Sequence, residues 1–301
     1  MPLLRVACAV SCEEAPPSKP KQSFGETMKK AGYRALGGGA SGAAAMVIQV
    51  GSLMWMRTTM NYQYRYGMTT TDALRTLYND GGILRFYRGV GPALIQGPVS
   101  RFGDTAANAG VLEMFEQSES MNNWPTPVKT VFASGAASSM RVCLVPVDTV
   151  KTIMQVEGKE GIPKLMAKYK AGGPVVFFHG AGATMAASFV GHYPWFTVFN
   201  TLQQNWPKYD DRVSSLCRNA AIGFIASVSS DTVSNSFRVV KTVRQTNETM
   251  SYYNIVTKVV EEDGWAGLFG RGLKTRIICN GMQGLMFSVM YKLFEEKFVK
   301  K

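Results

Sequence analysis

The 301-residue sequence predicts an all-α membrane protein that contains three copies of one helical unit. Two long stretches, 35–56 and 171–207, contain no Asp, Glu, Lys or Arg, and about 20 mostly apolar residues suffice for a helix to cross a bilayer. A glycine preceded by a basic residue and nearby aromatic residues recurs at Gly89, Gly180 and Gly272, at intervals of 91 and 92 residues. Such regular spacing indicates units that pack against one another.

A short amphipathic segment precedes each of these three glycines, which are called the glycine marks below. The segments are 71–78, 162–169 and 253–260, and their apolar residues recur near i, i+3, i+4 and i+7. This spacing is typical of a helix that lies along a membrane surface. Asp80-Gly81 and Asp263-Gly264 follow the first and third segments at the same distance from their marks, and they predict helix ends.

The segment from Pro146 to Lys151 predicts a bend in the first long helix of the second copy. An interior proline removes a backbone hydrogen bond and kinks a helix. Asp148 and Lys151, at i and i+3, then share one face just after the bend. The corresponding kink positions are near Val50 in the first copy and at Ser236 in the third.

These features resemble the mitochondrial carrier family over nearly the whole chain. The resemblance rests on the Pro-x-acid-x-x-base run at Pro146, the glycine marks and the run Trp265-Ala266-Gly267-Leu268-Phe269. It implies six transmembrane helices in three pseudo-threefold repeats, each with a short surface helix, around a water-filled central cavity. The resemblance also implies a multi-pass protein of the mitochondrial inner membrane. We divide the chain into a polar N-terminal tail, 1–30, and repeats at 31–120, 121–210 and 211–301.

The chain departs from the family at the gate that closes the cavity on the matrix side. The family pairs an acid of one repeat with a base of the next, whereas the aligned pairs here are Ser52 with Trp55, Asp148 with Lys151, and Arg238 with Lys241. One acid therefore faces three bases, and like charges at short range repel. Either this gate closes differently, or an anion, a lipid or another residue supplies the missing charge. The predicted gate and kink residues are Pro146, Asp148, Lys151, Ser236, Arg238 and Lys241.

The opposite, cytoplasmic gate is also altered relative to the family pattern. The second repeat has amides where the family has charges, and the third exchanges the two signs. The predicted residues of this gate are Asn200, Gln203, Lys292 and Glu295. Hydrogen bonds and apolar side chains such as Trp55 could replace the missing ion pairs.

Counting from the glycine marks places residues at equal depths in the implied cavity. The predicted substrate-binding residues are Gln96, Arg101, Asp104, Ser188, His192, Arg276 and Asn280. Arg101 and Asp104, at i and i+3, could instead form a structural ion pair, and His192 could be a core histidine. Arg141 and Asp231 stand at equal depth with opposite charges, so they predict a pair across the cavity, unless each is solvated separately.

The sequence favours a membrane transporter of a small carboxylate or amino-acid-like metabolite by alternating access. The alternative is a non-transporting carrier-fold protein that serves as a structural subunit or scaffold of a larger inner-membrane complex. We expect membrane lipid, such as cardiolipin, and a small-molecule metabolite as partners. We expect neither nucleic acid nor a cofactor, because the net charge of +12 forms no compact basic stripe and the five cysteines form no metal-ligand spacing. Two histidines and no nucleophile motif argue against an enzyme.

Overall fold

The structure, a computed structural model, describes residues 25–26, 29, 40–117, 124, 126–207, 209, 211–247 and 250–298. Only the backbone is described in 40–47, 101–109 and 287–298, and also at 98, 112–113, 116–117, 126–127, 129–130, 133, 212 and 285. The predicted tail, 1–30, therefore lies almost entirely outside the described residues.

The helices follow one another in three similar groups. The first group is α1 (Ala40–Tyr66), α2 (Thr70–Phe86) and α3 (Val90–Gln117). The second is α4 (Thr126–Val142), α5 (Val145–Glu157), α6 (Gly161–Gly172) and α7 (Ala181–Asn205), with 3₁₀ turns at Gly158–Glu160 and Gly173–Phe178. The third is α8 (Arg212–Thr246), α9 (Tyr252–Gly270) and α10 (Leu273–Phe298).

The long helices close into a ring. Helix α3 packs on α4, α7 packs on α8, and α10 returns to pack on α1, so each repeat contacts the next. Within the repeats, α1 packs on α3, α4 on α7, and α8 on α10. The bent pair α4–α5 counts as one crossing. The predicted all-α fold of three repeats around a central space is confirmed.

The short helices α2, α6 and α9 contain the three predicted amphipathic segments. Thr69 and Ser251 begin α2 and α9, where their side chains accept hydrogen bonds from the backbone N–H of Asp72 and Asn254, both at 3.2 Å. Such N-caps satisfy backbone donors that a helix start leaves free. The helical path then breaks at Gly82 and Gly264, whose φ values of 62° and 68° suit glycine.

A side chain of each first long helix also bonds to the turn before its repeat's glycine mark. Thr58 Oγ1 donates to the carbonyl of Phe86 at 2.6 Å, and Thr149 Oγ1 donates to that of Phe177 at 2.9 Å. In the third repeat Asn235 Nδ2 donates to the carbonyl of Phe269 at 2.9 Å. These bonds anchor each surface segment to the ring at a similar level.

Several ring helices expose large apolar side chains, a pattern that fits contact with lipid. Large apolar side chains on four of the ring helices are exposed: Ile95, Phe189, Phe224 and Ile278. By length and composition alone, one stretch in the described part of the chain, Val145–Asn205, is apolar enough to cross a membrane.

Candidate functional site

The bend at Pro146 brings an acidic side chain to the inside of the ring. Helix α4 ends at Val142, and α5 begins at Val145 with Pro146 in its first turn. Proline is well tolerated there because the first N–H groups of a helix have no partner within it. In the same turn, Asp148 lies almost completely buried, with 3% of its surface exposed.

Asp148 is the centre of a polar cluster that joins all three repeats. Its Oδ1 accepts hydrogen bonds from Gln96 Nε2 at 2.7 Å and from Lys151 Nζ at 2.9 Å. Its Oδ2 accepts one from Gln245 Nε2 at 3.3 Å and forms an ion pair with Lys241. Gln96 also accepts a hydrogen bond from Lys151 Nζ at 2.5 Å. We call these five residues the ion gate.

The glycine marks identify the corresponding positions of the first repeat. A Cβ placed on Gly89 would lie 3.0 Å from the carbonyl oxygen of Lys151, and one on Gly180 would lie 3.3 Å from that of Lys241. At Gly272 the corresponding carbonyl belongs to Met60, at 3.2 Å. Met60 therefore stands where the other repeats have a lysine.

The predicted alignment of the first repeat is corrected by this contact. With Met60 at the position of the base, the position of the acid falls on Arg57, not on Ser52. Trp55, expected at the base position, packs instead against the buried cluster of Leu53, Met56 and Cys279. Arg57 faces inward, where its Nη2 donates to Gln283 Oε1 at 3.3 Å.

Helix α8 continues through Ser236 as one helix of 35 residues, so the kink predicted there is not seen. Serine keeps the backbone N–H that Pro146 lacks, and the helical hydrogen bonds continue. Arg238, at the acid position of this repeat, donates from Nε to Ser234 Oγ at 3.3 Å. It also lies 3.7 Å from Asp231, which supplies a negative charge that the two gate positions of this repeat lack.

Above the ion gate the ring encloses a cavity of about 310 Å³. Among the residues that the structure describes, six basic side chains line it, namely Arg57, Arg141, Lys151, Arg238, Lys241 and Arg276. Asp148 is the acid in the same described lining. Even with Asp231 behind the wall, the described site has a surplus of positive charge.

One face of α10 contributes a continuous polar strip to the cavity wall. Arg276, Cys279, Asn280 and Gln283 recur at i, i+3, i+4 and i+7, and all four line the cavity. Two of them, Arg276 and Asn280, are predicted substrate-binding residues. Facing them, Ser188 of α7 accepts a hydrogen bond from Arg141 Nη1 at 3.0 Å.

Asp231 has two described hydrogen-bond partners on α10. Its Oδ1 accepts a hydrogen bond from Arg276 Nε at 2.6 Å, and its Oδ2 accepts one from Asn280. The pair described at this depth is therefore Arg276–Asp231. The pairing of Arg141 with Asp231 stays a prediction.

Four of the predicted substrate-binding residues, Gln96, Ser188, Arg276 and Asn280, line the cavity together. His192 is not in the described lining, and its ring packs near Phe196 with centroids 6.3 Å apart. The side chains of Arg101 and Asp104 lie outside the described residues, so their roles stay predictions.

Of the predicted cytoplasmic gate, the structure describes the side chains of Asn200 and Gln203. Asn200 is exposed. Gln203 contacts the neighbouring helix α8, where Arg218 Nη1 donates to its Oε1 at 2.6 Å and its own Nε2 donates to Asn219 at 3.3 Å. The side chains of Lys292 and Glu295 lie outside the described residues. The structure thus describes a state in which the ion gate is formed.

Sequence reasoning missed Arg57 as a site residue, although a signal existed. Arg57 precedes Gly89 by 32 residues, as Asp148 precedes Gly180. It also missed Asn61, whose Nδ2 donates to Gln155 Oε1 at 2.5 Å and joins the first two repeats below the gate. Among the described residues, no group of three or more His, Cys, Asp or Glu could hold a metal ion.

Comparison with known proteins gives a consistent result. The sequence model of the mitochondrial carrier protein family matches three consecutive segments, 26–118, 123–210 and 212–301. A protein of Fusarium pseudograminearum described as a solute carrier protein is 30% identical over 136 residues. That match covers 42% of this chain and 45% of the relative, which is less than half of each. With three matched segments that cover most of its length, the chain belongs to the mitochondrial carrier family.

Proposed function

We propose that this protein transports a small carboxylate metabolite across the mitochondrial inner membrane by alternating access. Family membership and the solute carrier relative support a membrane transporter of small solutes. The observation that carries the choice of substrate is the surplus of basic side chains around the cavity.

A cavity lined by one sign of charge attracts ligands of the opposite sign. Low-dielectric walls focus the field of the charges, and this raises the local concentration of counter-ions. Arginine pairs with carboxylates in a planar, two-pronged geometry, and Arg57, Arg141 and Arg276 all line the cavity. The volume of about 310 Å³ is at the lower end of the range for small-molecule pockets.

The described acids favour a carboxylate over an amino acid. An ammonium group needs acceptors when it leaves water. Both oxygens of Asp148 and both oxygens of Asp231 already accept from protein groups. No other acid lines the described part of the cavity, so a zwitterion would find donors for its carboxylate but no spare carboxylate for its amine.

Alternating access requires a gate that can open at modest cost. The ion gate is suited to this, because it is built from hydrogen bonds and ion pairs that water or substrate can replace. Gln96 belongs to the gate and to the cavity wall, so a ligand that bonds to Gln96 competes with Asp148 and Lys151 for it.

Reconstitution into liposomes tests the proposal. We expect saturable uptake of labelled carboxylates that exceeds uptake of neutral amino acids and depends on Arg276. Arg276→Gln should reduce the uptake at least about tenfold, since it removes a charge-assisted contact. Lys274→Gln is the matched control, because Lys274 is exposed on the same helix and does not line the cavity.

A negative result would be equally clear. Absence of uptake for every carboxylate, in a preparation that is folded by thermal unfolding, would contradict the proposal. Co-purification in fixed proportion with an inner-membrane complex, together with absence of flux, would support the scaffold alternative instead.

A further inference from the structure

We propose that Asp231 is an internal counter-ion that holds Arg276 and Asn280 in place and sets how much negative charge the cavity accepts. The inference rests on the proposed function, because it concerns which carboxylates the site prefers. Asp231 does not itself line the cavity in the described structure. It is therefore a positioning residue that acts through the groups it holds.

The carboxylate of Asp231 bonds to three residues of the cavity wall. Oδ1 accepts from Arg276 Nε at 2.6 Å and lies 3.7 Å from Arg238 Nη2. Oδ2 accepts from Asn280 Nδ2. Arg276 and Asn280 are one helical turn apart on α10, so one carboxylate fixes both side chains against α8.

The exposed fractions of the three side chains show which of them faces the cavity. The side chain of Asp231 is 5% exposed, whereas those of Arg276 and Arg238 are 18% and 25% exposed. Asp231 thus lies behind the arginines, and a ligand in the cavity meets the guanidinium groups first. The bond to Asp231 uses Nε of Arg276, while Nη1 lies 3.9 Å from Met60 Sδ at the wall.

The fixed negative charge of Asp231 reduces the electrostatic attraction between the site and multiply charged anionic ligands. Each ligand charge interacts with the sum of the nearby fixed charges, and the energy grows in proportion to the charge of the ligand. Asp231 lowers that sum by one unit within bonding distance of two arginines. Removing its charge should favour tricarboxylates over monocarboxylates, without any new contact to the ligand.

A purely structural role would give a different result. If Asp231 served only to neutralise buried arginines for folding, its loss would lower stability and weaken every ligand alike. The ratio of affinities for ligands of different charge separates the two roles, because that ratio does not depend on the amount of folded protein.

The experiment compares Asp231→Asn and Asp231→Glu with the wild type in proteoliposomes. Lactate, succinate and citrate compete with the labelled substrate, and their inhibition constants are measured. Asp231→Asn should raise the preference for citrate over lactate by about tenfold or more, because it leaves one more positive charge uncompensated near the ligand. Asp231→Glu, which keeps the charge, should restore the ratio of the wild type.

Glu157→Gln is the matched control. The side chain of Glu157 is 9% exposed and also pairs with a base, Lys164, but it lies outside the cavity. The preference of this variant should equal that of the wild type. An unchanged ratio in a folded Asp231→Asn protein, or the same shift in Glu157→Gln, would overturn the role of Asp231.

A second variant keeps the test decisive if Asp231→Asn does not fold. Arg238→Gln removes a positive charge from the same cluster, so it should shift the preference towards lactate, opposite to Asp231→Asn. A shift towards citrate or no shift would reject the inference. Failure of the wild type to bind any of the three carboxylates would reject the proposed function itself, and this outcome is distinguishable from the others.

Discussion

Replacement of Asp148 by asparagine should be among the most destabilising single changes in this protein. Asp148 is buried and forms ion pairs with both Lys151 and Lys241. Asparagine has nearly the same shape but leaves two lysine charges close together without an acid. Removal of one partner of a buried ion pair costs about 3–5 kcal/mol, because the remaining charge stays buried and uncompensated.

Asp80→Asn is the matched control for this change. Asp80 also pairs with a base, Arg85, at 2.5 Å, but the side chain of Asp80 is 58% exposed. Arg85 keeps two other acceptors, the carbonyl oxygens of Gln155 at 2.8 Å and Val156 at 2.7 Å. An ion pair with such exposure contributes about 1 kcal/mol or less.

Thermal unfolding of the purified proteins in detergent measures the difference. Asp148→Asn should lower the midpoint by on the order of 10 °C, while Asp80→Asn should lower it by a few degrees at most. In liposomes, Asp148→Asn should also allow passive leakage of small anions, since the gate loses its central acceptor. Equal shifts for the two variants would show that the ion gate does not stabilise the described state.

Three further changes test other contacts of the site. Gln96→Leu removes one hydrogen-bond acceptor of Lys151, so it should lower stability by about 1–3 kcal/mol. An unchanged melting midpoint would show that the hydrogen bond between Lys151 and Gln96 is not formed. Gly89→Ala should destabilise the protein by about 1 kcal/mol or more, because Gly89 has a φ of 85° and the added Cβ would crowd the carbonyl of Lys151. Gly51→Ala is the control, because the space around Gly51 is open. Burial, together with the charges of Arg244 and Lys168, lowers the pKa of His179 from its usual 6.5. The folded state therefore disfavours the protonated ring, and the wild type should lose stability as the pH falls below about 6.5. His179→Gln should lose less stability in the same titration.

The three-repeat fold could be predicted because its signals are local. Glycine is required where φ is positive, and the three glycine marks have φ values of 85°, 88° and 67°. Pro146 marks a helix break for an equally local reason. Amphipathic spacing then identifies α2, α6 and α9 without knowledge of their neighbours.

The gate of the first repeat could not be placed from its own signature residues, because helix α1 has neither a proline nor an acid at the signature positions. The sequence signal that points to Arg57 is its spacing of 32 residues from Gly89, and that spacing was not used. The contact that fixes the alignment joins Gly272 to Met60, at opposite ends of the chain. The predicted alignment was five residues too early, so it assigned the base position to Trp55 instead of Met60.

The bonds of Asp231 to Arg276 and Asn280 were not predicted, for a related reason. Counting from symmetry gives the depth of a residue in the ring, and this count paired Asp231 with Arg141. It does not give the direction of a side chain around its helix axis. Arg276 lies on the helix that packs directly on α8, where it bonds to Asp231.

In the ion gate, the single carboxylate of Asp148 makes the contacts that three acid–base pairs make in the family pattern. Asp148 receives Gln96 from the first repeat, Lys151 from its own repeat, and Lys241 with Gln245 from the third. Contacts to the same two oxygens therefore hold all three repeats together at this level. Arg57 and Arg238, at the other two acid positions, add repulsion instead of attraction. In the proposed transport of a carboxylate, the ligand would offset that repulsion while it competes for Gln96, so the charge of the substrate would take part in gating.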